Sequence, residues 1–501
     1  MEKRHTISEF TDLLAENGLI SDMSIGSSGE KTIEYISFSS ADMRNNTLFV
    51  CKGKHFEEKY LADALARGAV IYVSEKKYEA GDGAPYIIVN DMRRAMALIA
   101  NLFYNDVWKK LNIIGITGTK GKSTTTYFMR YILDDFMKAE KKPRSAVISS
   151  IDTYDGVINE ESHLTTPEAF MIHKHYHNAV ESGIEYLTME VSSQALKYHR
   201  VMGITFDVAC FLNIGQDHIS DVEHTDFDDY FNSKLKIFSQ CKTAVVNLNA
   251  DRAETILAEA KKGAEKVITF GLMPEADVFG YDIITDSDGI AFKARTPKFD
   301  EEFKIGIRGL FNVQNALAAI AMCTALDVPV EYIKSGLLKA RADGRMEIYT
   351  ARKKDLSVIV DYAHNKMSME ALFESTQKEF PGKRISIVFG CPGNKAYGRR
   401  RELGEIAGRY SDAIYLTEED PGEESVVDIC NEIAKYVEKE HANYKIIPDR
   451  REAIREAIKN AGDNAVVLVT AKGRETRQKR GTEYIEVASD VDMVQEFLKD
   501  E

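Results

Sequence analysis

The tightest constraint on the fold is one continuous run, NIIGITGTKGKSTTTYFMRYILDDF, starting at Asn112. Its first six residues are apolar and β-rich, so they read as a buried strand. Gly118-Thr119-Lys120-Gly121-Lys122-Ser123 follows, a loop of glycine, hydroxyl and lysine residues. From Thr124 a helical pattern takes over. Glycines let backbone N–H groups curl around phosphate oxygens, and the start of the helix adds positive potential. The Lys122 ammonium can then reach the terminal phosphates of a nucleotide, while the hydroxyl of Ser123 or Thr124 can hold Mg²⁺. One position departs from the strict P-loop pattern: Ile116 stands where that pattern has its first glycine, and Gly118 supplies the flexibility.

A strand–loop–helix unit of this kind belongs in a parallel sheet covered by helices, and the rest of the chain agrees. After Leu111 the runs RSAVISS, YLTMEVSS, VACFLNI, TAVVNLN and KVITFG alternate with helical segments. After Gly344 a further alternation begins with LSVIVDYA, ISIVFG, AIYLTE, YKIIP and AVVLVTAKG. Short strands and helices also fill the first part, with IEYISFSS, NNTLFVCKG, AVIYVSE and PYIIVND as strands and YLADALARGAV and MRRAMALIANLFYND as helices. With 501 residues and roughly 150 residues per domain, the expectation is three α/β domains, at 1–107, 108–343 and 344–501. The central one is a parallel sheet of the P-loop ATPase type.

Composition excludes several classes. A formal net charge of −14 is wrong for a protein that holds nucleic acid by counterion release. Anionic ligands must instead be met by local cations and backbone N–H groups. The six cysteines are scattered with no CxxC pair, so neither zinc nor a disulfide framework is signalled, and reduced thiols in a cytoplasmic protein are expected. The N-terminal segment is charged throughout and unlike a signal peptide. No run approaches the roughly 18 apolar residues of a membrane span.

TGTKGKST is followed in order by LTTPEA, MEVSSQAL, NIGQDHISDVEH, FNVQNALAAI, DGRMEIY and VDYAH. This series resembles the Mur ligase family, and within it the MurE-type branch, over essentially the full chain. The resemblance implies a UDP-binding α/β domain at the N-terminus and a Rossmann-like, amino-acid-binding domain at the C-terminus. The implied activity is ATP-dependent addition of the third peptide residue to UDP-N-acetylmuramoyl-L-alanyl-D-glutamate. The route is an acyl phosphate, with ATP and Mg²⁺ required. Expected partners are that nucleotide-linked dipeptide and a free amino acid, with a monomer acting alone. A folylpolyglutamate synthase-like ligase and a non-catalytic nucleotide-binding paralogue are the alternatives. The residues before the loop argue against the first. The presence of Lys122, Glu190, His218 and Lys234 argues against the second.

The remaining site residues divide between bottom-up and family readings. Glu190 ends the run YLTM, at the end of a strand where open α/β sheets bind ligands, and His218 ends FLNIGQDH. A carboxylate and an imidazole so placed can share one divalent ion, and the family resemblance implies that they do. Asp217 either orients His218 or is a surface carboxylate. Lys234 in YFNSKLKIF matches the lysine that the family carbamylates for Mg²⁺, with Lys236 as its neighbouring competitor. By resemblance, Asn312 and Asn315 meet the adenine and Asp361 the ribose, while the Arg345 guanidinium, near the domain boundary, can reach across to phosphates as a fork. Thr165, Thr166, Ser192, Ser193 and Arg200 hold the muramoyl peptide, and Ser40 stands in the UDP segment where the family's Asp and Arg are missing. Asn365-Lys366 replaces the residues that usually follow His364 in the family. Amino-acid choice is expected from Glu419-Asp420-Pro421-Gly422, where diaminopimelate enzymes carry Asp-Asn-Pro-Arg. Gly422 offers no guanidinium to a second carboxylate, so L-lysine is favoured over meso-diaminopimelate. Asp420 or Glu423 is then expected to attract its distal ammonium, Arg474 or Arg477 are possible substitutes for the lost arginine, and Glu475 faces the reacting amine.

Overall fold

The computed structural model describes residues 3–53, 56–162, 164–217, 219, 223–286, 289–440, 442–499 and 501. Three large sheets succeed one another along the chain. The first has five strands in the order Ile20–Ser24, Tyr86–Val89, Ala69–Ser74, Thr47–Val50, Tyr35–Ser37, and only its first pairing is antiparallel. Helix Ile7–Glu16 opens with a capping box between Thr6 and Glu9, which satisfies two otherwise free N–H groups. This block has its own apolar core, built on Phe10, Leu48 and Ile99, and Ala169 and Phe170 of the following region plug into it.

The second sheet has eleven strands. Asn112–Thr117 lies in its interior between Tyr186–Glu190 and Phe206–Phe211, parallel to both. Its unbroken apolar run is what a strand covered on both faces requires. Gly115 is dictated by packing, because a Cβ there would lie 2.8 Å from the Phe206 ring. Helix Phe311–Ala325 is buried on nearly all sides and packs on this sheet, as a helix apolar all round must.

The expected parallel sheet is extended by antiparallel strands on both flanks. Val278–Asp286, Gly289–Arg295 and Asp300–Ile305 form a meander at one end, and Asp152–Tyr154 and Asn159–Glu161 continue the other. Several of these strands alternate buried and exposed positions or face solvent outright. They carry charge on the outer face and lack the long apolar runs that mark a covered parallel strand.

The third sheet orders Glu347–Thr350, Leu356–Asp361, Ala465–Thr470, Arg384–Phe389, Ala413–Leu416 and Tyr444–Ile446, all parallel except the first pair. A two-stranded ribbon, Arg477–Arg480 with Glu483–Glu486, follows. Phe270 and Ile320 of the central region share one apolar cluster with Ile387 and Leu468 of the third. All six cysteines are buried and free. Among the described residues no helix is long and apolar enough to cross a membrane.

Candidate active site

Between the central and third sheets lies a cavity of about 530 Å³, a size that suits a small-molecule site. Its floor is the loop at 118–124. Gly121 has φ +83° and caps helix Lys122–Ala139, and a Cβ there would lie 2.3 Å from Asn315 Oδ1. Glycine is therefore required both for the backbone angle and for the space. The loop is pinned from below: Asn213 accepts the Lys120 N–H at 2.8 Å and donates to the Lys120 carbonyl at 3.0 Å. Thr119 Oγ1 lies 3.1 Å from the Tyr230 hydroxyl.

Two lysine side-chain nitrogens converge on one carbonyl oxygen. Lys122 Nζ donates to Gly118 O at 3.0 Å and Lys234 Nζ donates to the same oxygen at 2.9 Å. Lys234 sits in the last turn of helix Phe227–Leu235 and is 2% exposed, whereas Lys236 is exposed; of the two lysines, Lys234 alone is placed at the loop. Burial drives the Lys234 amine well below its ordinary pKa, and the nearby Lys122 charge adds to the effect. Burial likewise lowers Lys122, and it lowers Lys120 to about 8. Three lysines packed into one desolvated cradle call for an anion.

Opposite them stands the oxygen side of the site. Glu190 Oε1 accepts the Ser150 N–H at 2.9 Å and its hydroxyl at 3.2 Å, and Ser150 Oγ lies 2.9 Å from Ser123 Oγ. A carboxylate and two hydroxyls linked in this way form a hard oxygen donor set that fits Mg²⁺. Thr124 is buried in the first helical turn. His218 lies outside the described residues, and among the described residues no three His, Cys, Asp or Glu side chains gather as a metal cluster. The strands that lead to Glu190 and toward His218 flank the loop strand on opposite sides.

Asp217 is not a surface carboxylate. It is buried, accepts from Arg399 Nη2 at 2.7 Å and from Asn365 Nδ2, and lies 3.6 Å from Lys120 Nζ. From the third region Asp361 accepts the Met346 and Ala363 N–H groups, both at 2.8 Å, and Arg345 lies over the Tyr362 ring at 4.4 Å. Asn315 borders Gly121, while Asn312 donates to Arg308 O and accepts from Asn315 at 2.8 Å. Phe270, Phe311 and Gln314 also line the cavity; Phe311 and Gln314 fall within FNVQNALAAI, where the sequence reading singles out only the two asparagines, and Phe270 ends a plain apolar strand run that carries no signal.

Toward the first region, Thr165 lines the cavity. Thr166 Oγ1 donates to Glu190 O at 2.9 Å and accepts the Ser192 N–H at 3.0 Å. Arg200 donates to Thr166 O and pairs with Glu168 at 2.8 Å. Ser192 caps its helix and Ser193 lies 3.0 Å from His224, so both hydroxyls already have partners. Ser40 is half-buried just beyond strand Tyr35–Ser37. Sequence reading passed over Lys52, which pairs with Glu168 at 2.5 Å beside Arg200.

The expected amino-acid end is already ion-paired. Asp420 Oδ1 accepts from Lys472 Nζ at 3.0 Å and from the Lys479 N–H at 2.9 Å. Lys472 also reaches Glu475 at 2.7 Å, and Glu475 accepts from the Tyr362 hydroxyl. Asp420 thus has an internal ammonium where a substrate ammonium was expected, and Glu423 is exposed. Gly422, at φ +58°, has room for a side chain, its nearest neighbour being Gly481 O at 3.7 Å. Arg474 is held by Glu347 at 2.7 Å, and Arg477 is 3.9 Å from Glu161.

Comparison with known proteins gives the family. Residues 116–323 match the Mur ligase middle domain and residues 344–473 match the Mur ligase glutamate ligase domain. The chain is 35% identical to a UDP-N-acetylmuramyl-tripeptide synthetase of Lactobacillus delbrueckii, with 93% of each chain covered. It is 36% identical to a UDP-N-acetylmuramoyl-L-alanyl-D-glutamate–L-lysine ligase of Streptococcus thermophilus, again with 93% of each covered. It is also 36% identical to the corresponding 2,6-diaminopimelate ligase of Clostridioides difficile, over 89% of this chain and 91% of that one. A solved structure of a diaminopimelate ligase of this kind superposes with a TM-score of 0.65 at 22% identity, covering 99% of both chains. The chain belongs to the Mur ligase family and is an ATP-dependent ligase.

Proposed function

We propose that this enzyme adds the third residue, L-lysine in preference to meso-diaminopimelate, to UDP-N-acetylmuramoyl-L-alanyl-D-glutamate during peptidoglycan synthesis. The observation that carries the reading is the convergence of Lys120, Lys122 and Lys234 on a glycine loop facing the Glu190–Ser150–Ser123 oxygens. ATP is the phosphoryl donor, the substrate carboxylate attacks its γ-phosphorus, and the amino acid then displaces phosphate from the acyl phosphate. Lys122 follows the charge that develops on the transferred group, and the loop N–H groups hold the phosphates in place. Mg²⁺, held by Ser123 and Glu190 with His218 and a carbamylated Lys234, would neutralise phosphate charge. The Lys234 assignment is supported by its burial: the neutral amine is the form that takes up CO₂, and desolvation favours it.

Residues 1–107 bind the UDP portion, 108–343 bind ATP and 344–501 present the amino acid. Thr165, Thr166 and Arg200 orient the dipeptide from the central region, and Asn315, Arg345 and Asp361 border the nucleotide. Holding acceptor and amine together supplies up to about 7–11 kcal/mol of the barrier reduction for ideal placement. The enzyme works as a monomer in the cytoplasm. Lysine is favoured because Gly422 removes the guanidinium that a second carboxylate would pair with. ADP release from ATP, measured with UDP-N-acetylmuramoyl-L-alanyl-D-glutamate and each amino acid in turn, tests the reading. Lysine should give the fastest turnover. ADP release independent of any amino acid would overturn the ligase assignment, and faster turnover with diaminopimelate would overturn the preference.

A further inference from the structure

We propose that Asp217 is the catch on which the C-terminal region closes over the nucleotide cradle, and that the Asn365 side-chain amide is the latch. The proposal deepens the ligase reading and rests on it for its catalytic consequence. Both Asp217 oxygens are engaged from that region: Oδ1 by Arg399 at 2.7 Å and Oδ2 by Asn365 Nδ2. The two donors lie 182 and 148 residues away in sequence. The other end of the same amide has a separate task. Asn365 Oδ1 accepts the Ser368 N–H at 3.1 Å and caps helix Lys366–Glu379, while Ser368 Oγ returns the contact to the Asn365 N–H.

This helix bridges the two regions at both of its ends. At the far end Ser375 Oγ accepts the Leu310 N–H at 3.0 Å and Glu379 accepts the Gly309 N–H at 2.8 Å. Met369, Leu372 and Phe373 lie in the apolar cluster shared by both sheets. The far end is therefore held by backbone donation from 309–310, with the middle of the helix packed in the shared cluster, and acts as the hinge side. At the near end the contacts are mainly polar, with Met367 tucked against Gly215, where a Cβ would lie 2.2 Å from Met367 Cε. A buried aspartate must be paired or hydrated, so opening the cleft would exchange Arg399 and Asn365 for water around Asp217 and leave it beside Lys120. Such an exchange of partners is what a closing element needs.

The latch also sets the reacting geometry. His364 directly precedes Asn365, and its Nε2 lies 3.4 Å from Lys120 Nζ of the cradle. Tyr362, two residues earlier, holds Glu475. Closing on Asp217 thus brings the amino-acid side to a fixed distance from the phosphate side. Asp217, Asn365 and Arg399 are positioning residues.

Asn365→Asp separates latch from cap. Aspartate caps a helix about as well as asparagine, but it sets a second carboxylate against Asp217. Asn365→Ala removes both functions. Small-angle X-ray scattering with a non-hydrolysable ATP analogue and UDP-N-acetylmuramoyl-L-alanyl-D-glutamate reads closure, and thermal melting reads the cap. For Asn365→Asp we expect a larger radius of gyration than wild type and a kcat lower by about tenfold or more. Analogue affinity and melting temperature should stay near wild type, while Asn365→Ala should also melt lower. Arg399→Lys should recover part of the closure that Arg399→Ala loses. Wild-type scattering and kcat in Asn365→Asp would overturn the proposal. Beside that result, a melting loss confined to Asn365→Ala would reduce Asn365 to a cap. If the wild-type protein forms no tripeptide product, the ligase reading fails, and the scattering comparison still decides the latch.

Discussion

At the nucleotide end of the cleft the cradle is residues 118–124 in a row, and its key donors are backbone groups fixed by two glycines. At the amino-acid end the walls come from segments near 347, 362, 420 and 472–480, tied by side-chain ion pairs: Lys472 with Asp420 and Glu475, Arg474 with Glu347, and Arg480 with Glu418. The first end is preorganised and changes little on binding. On the proposed reading the second exchanges partners, because an incoming ammonium would compete with Lys472 for the same carboxylates. On that reading, commitment to ATP is built into the backbone, and choice of amino acid into exchangeable charges.

The largest effect that would test this contrast is at the cradle. Lys122→Ala should lower kcat by on the order of 10³-fold without loss of fold, read by ADP release and circular dichroism; a soluble variant with normal turnover would remove the lysine from the chemistry. Next comes Lys234→Ala, expected to cost about 10²-fold and to be partly restored by added short carboxylates. Full activity without them would mean that its bond to Gly118 is only structural. A smaller, pH-dependent effect is expected at Lys120. Burial lowers its pKa to about 8, so its ammonium is present below that pH and lost above it. kcat/KM for ATP should fall as pH rises through about 8, since this parameter reports the free enzyme, and Lys120→Ala should flatten that step. Gly422→Arg should have the smallest effect, a few-fold shift toward diaminopimelate, offset by about 1 kcal/mol for a non-glycine residue at φ +58°. An unchanged amino-acid profile would place the discrimination elsewhere, with Lys472 the next position to vary.

The same contrast explains what was legible in the sequence. The cradle was readable because its chemistry is contiguous: strand, glycines, Lys122 and Ser123 fall in one run. The choice between Lys234 and Lys236 came from motif spacing, and burial gives its physical reason. Asp217 stays open to two readings in the sequence because its partners, Asn365 and Arg399, lie far along the chain in segments with no pattern linking them. The occupation of Asp420 by Lys472 was hidden for the same reason. The antiparallel flanks escaped because half-exposed strands carry charge on alternate positions, which blurs the apolar runs by which covered strands are recognised.

The arrangement of apolar cores has a consequence for how the molecule comes apart. The central and third sheets share one cluster beside a private one each, whereas the first has only its own and meets the central region mainly through Tyr104, Ala169, Phe170 and Met202. Elements that share a core lose it together, and a block with a private core can melt alone. Heating should therefore divide the chain into two cooperative units, with the N-terminal block as one of them. A UDP-linked ligand should raise the transition of that block, and ATP the transition of the remainder, in a calorimetric scan.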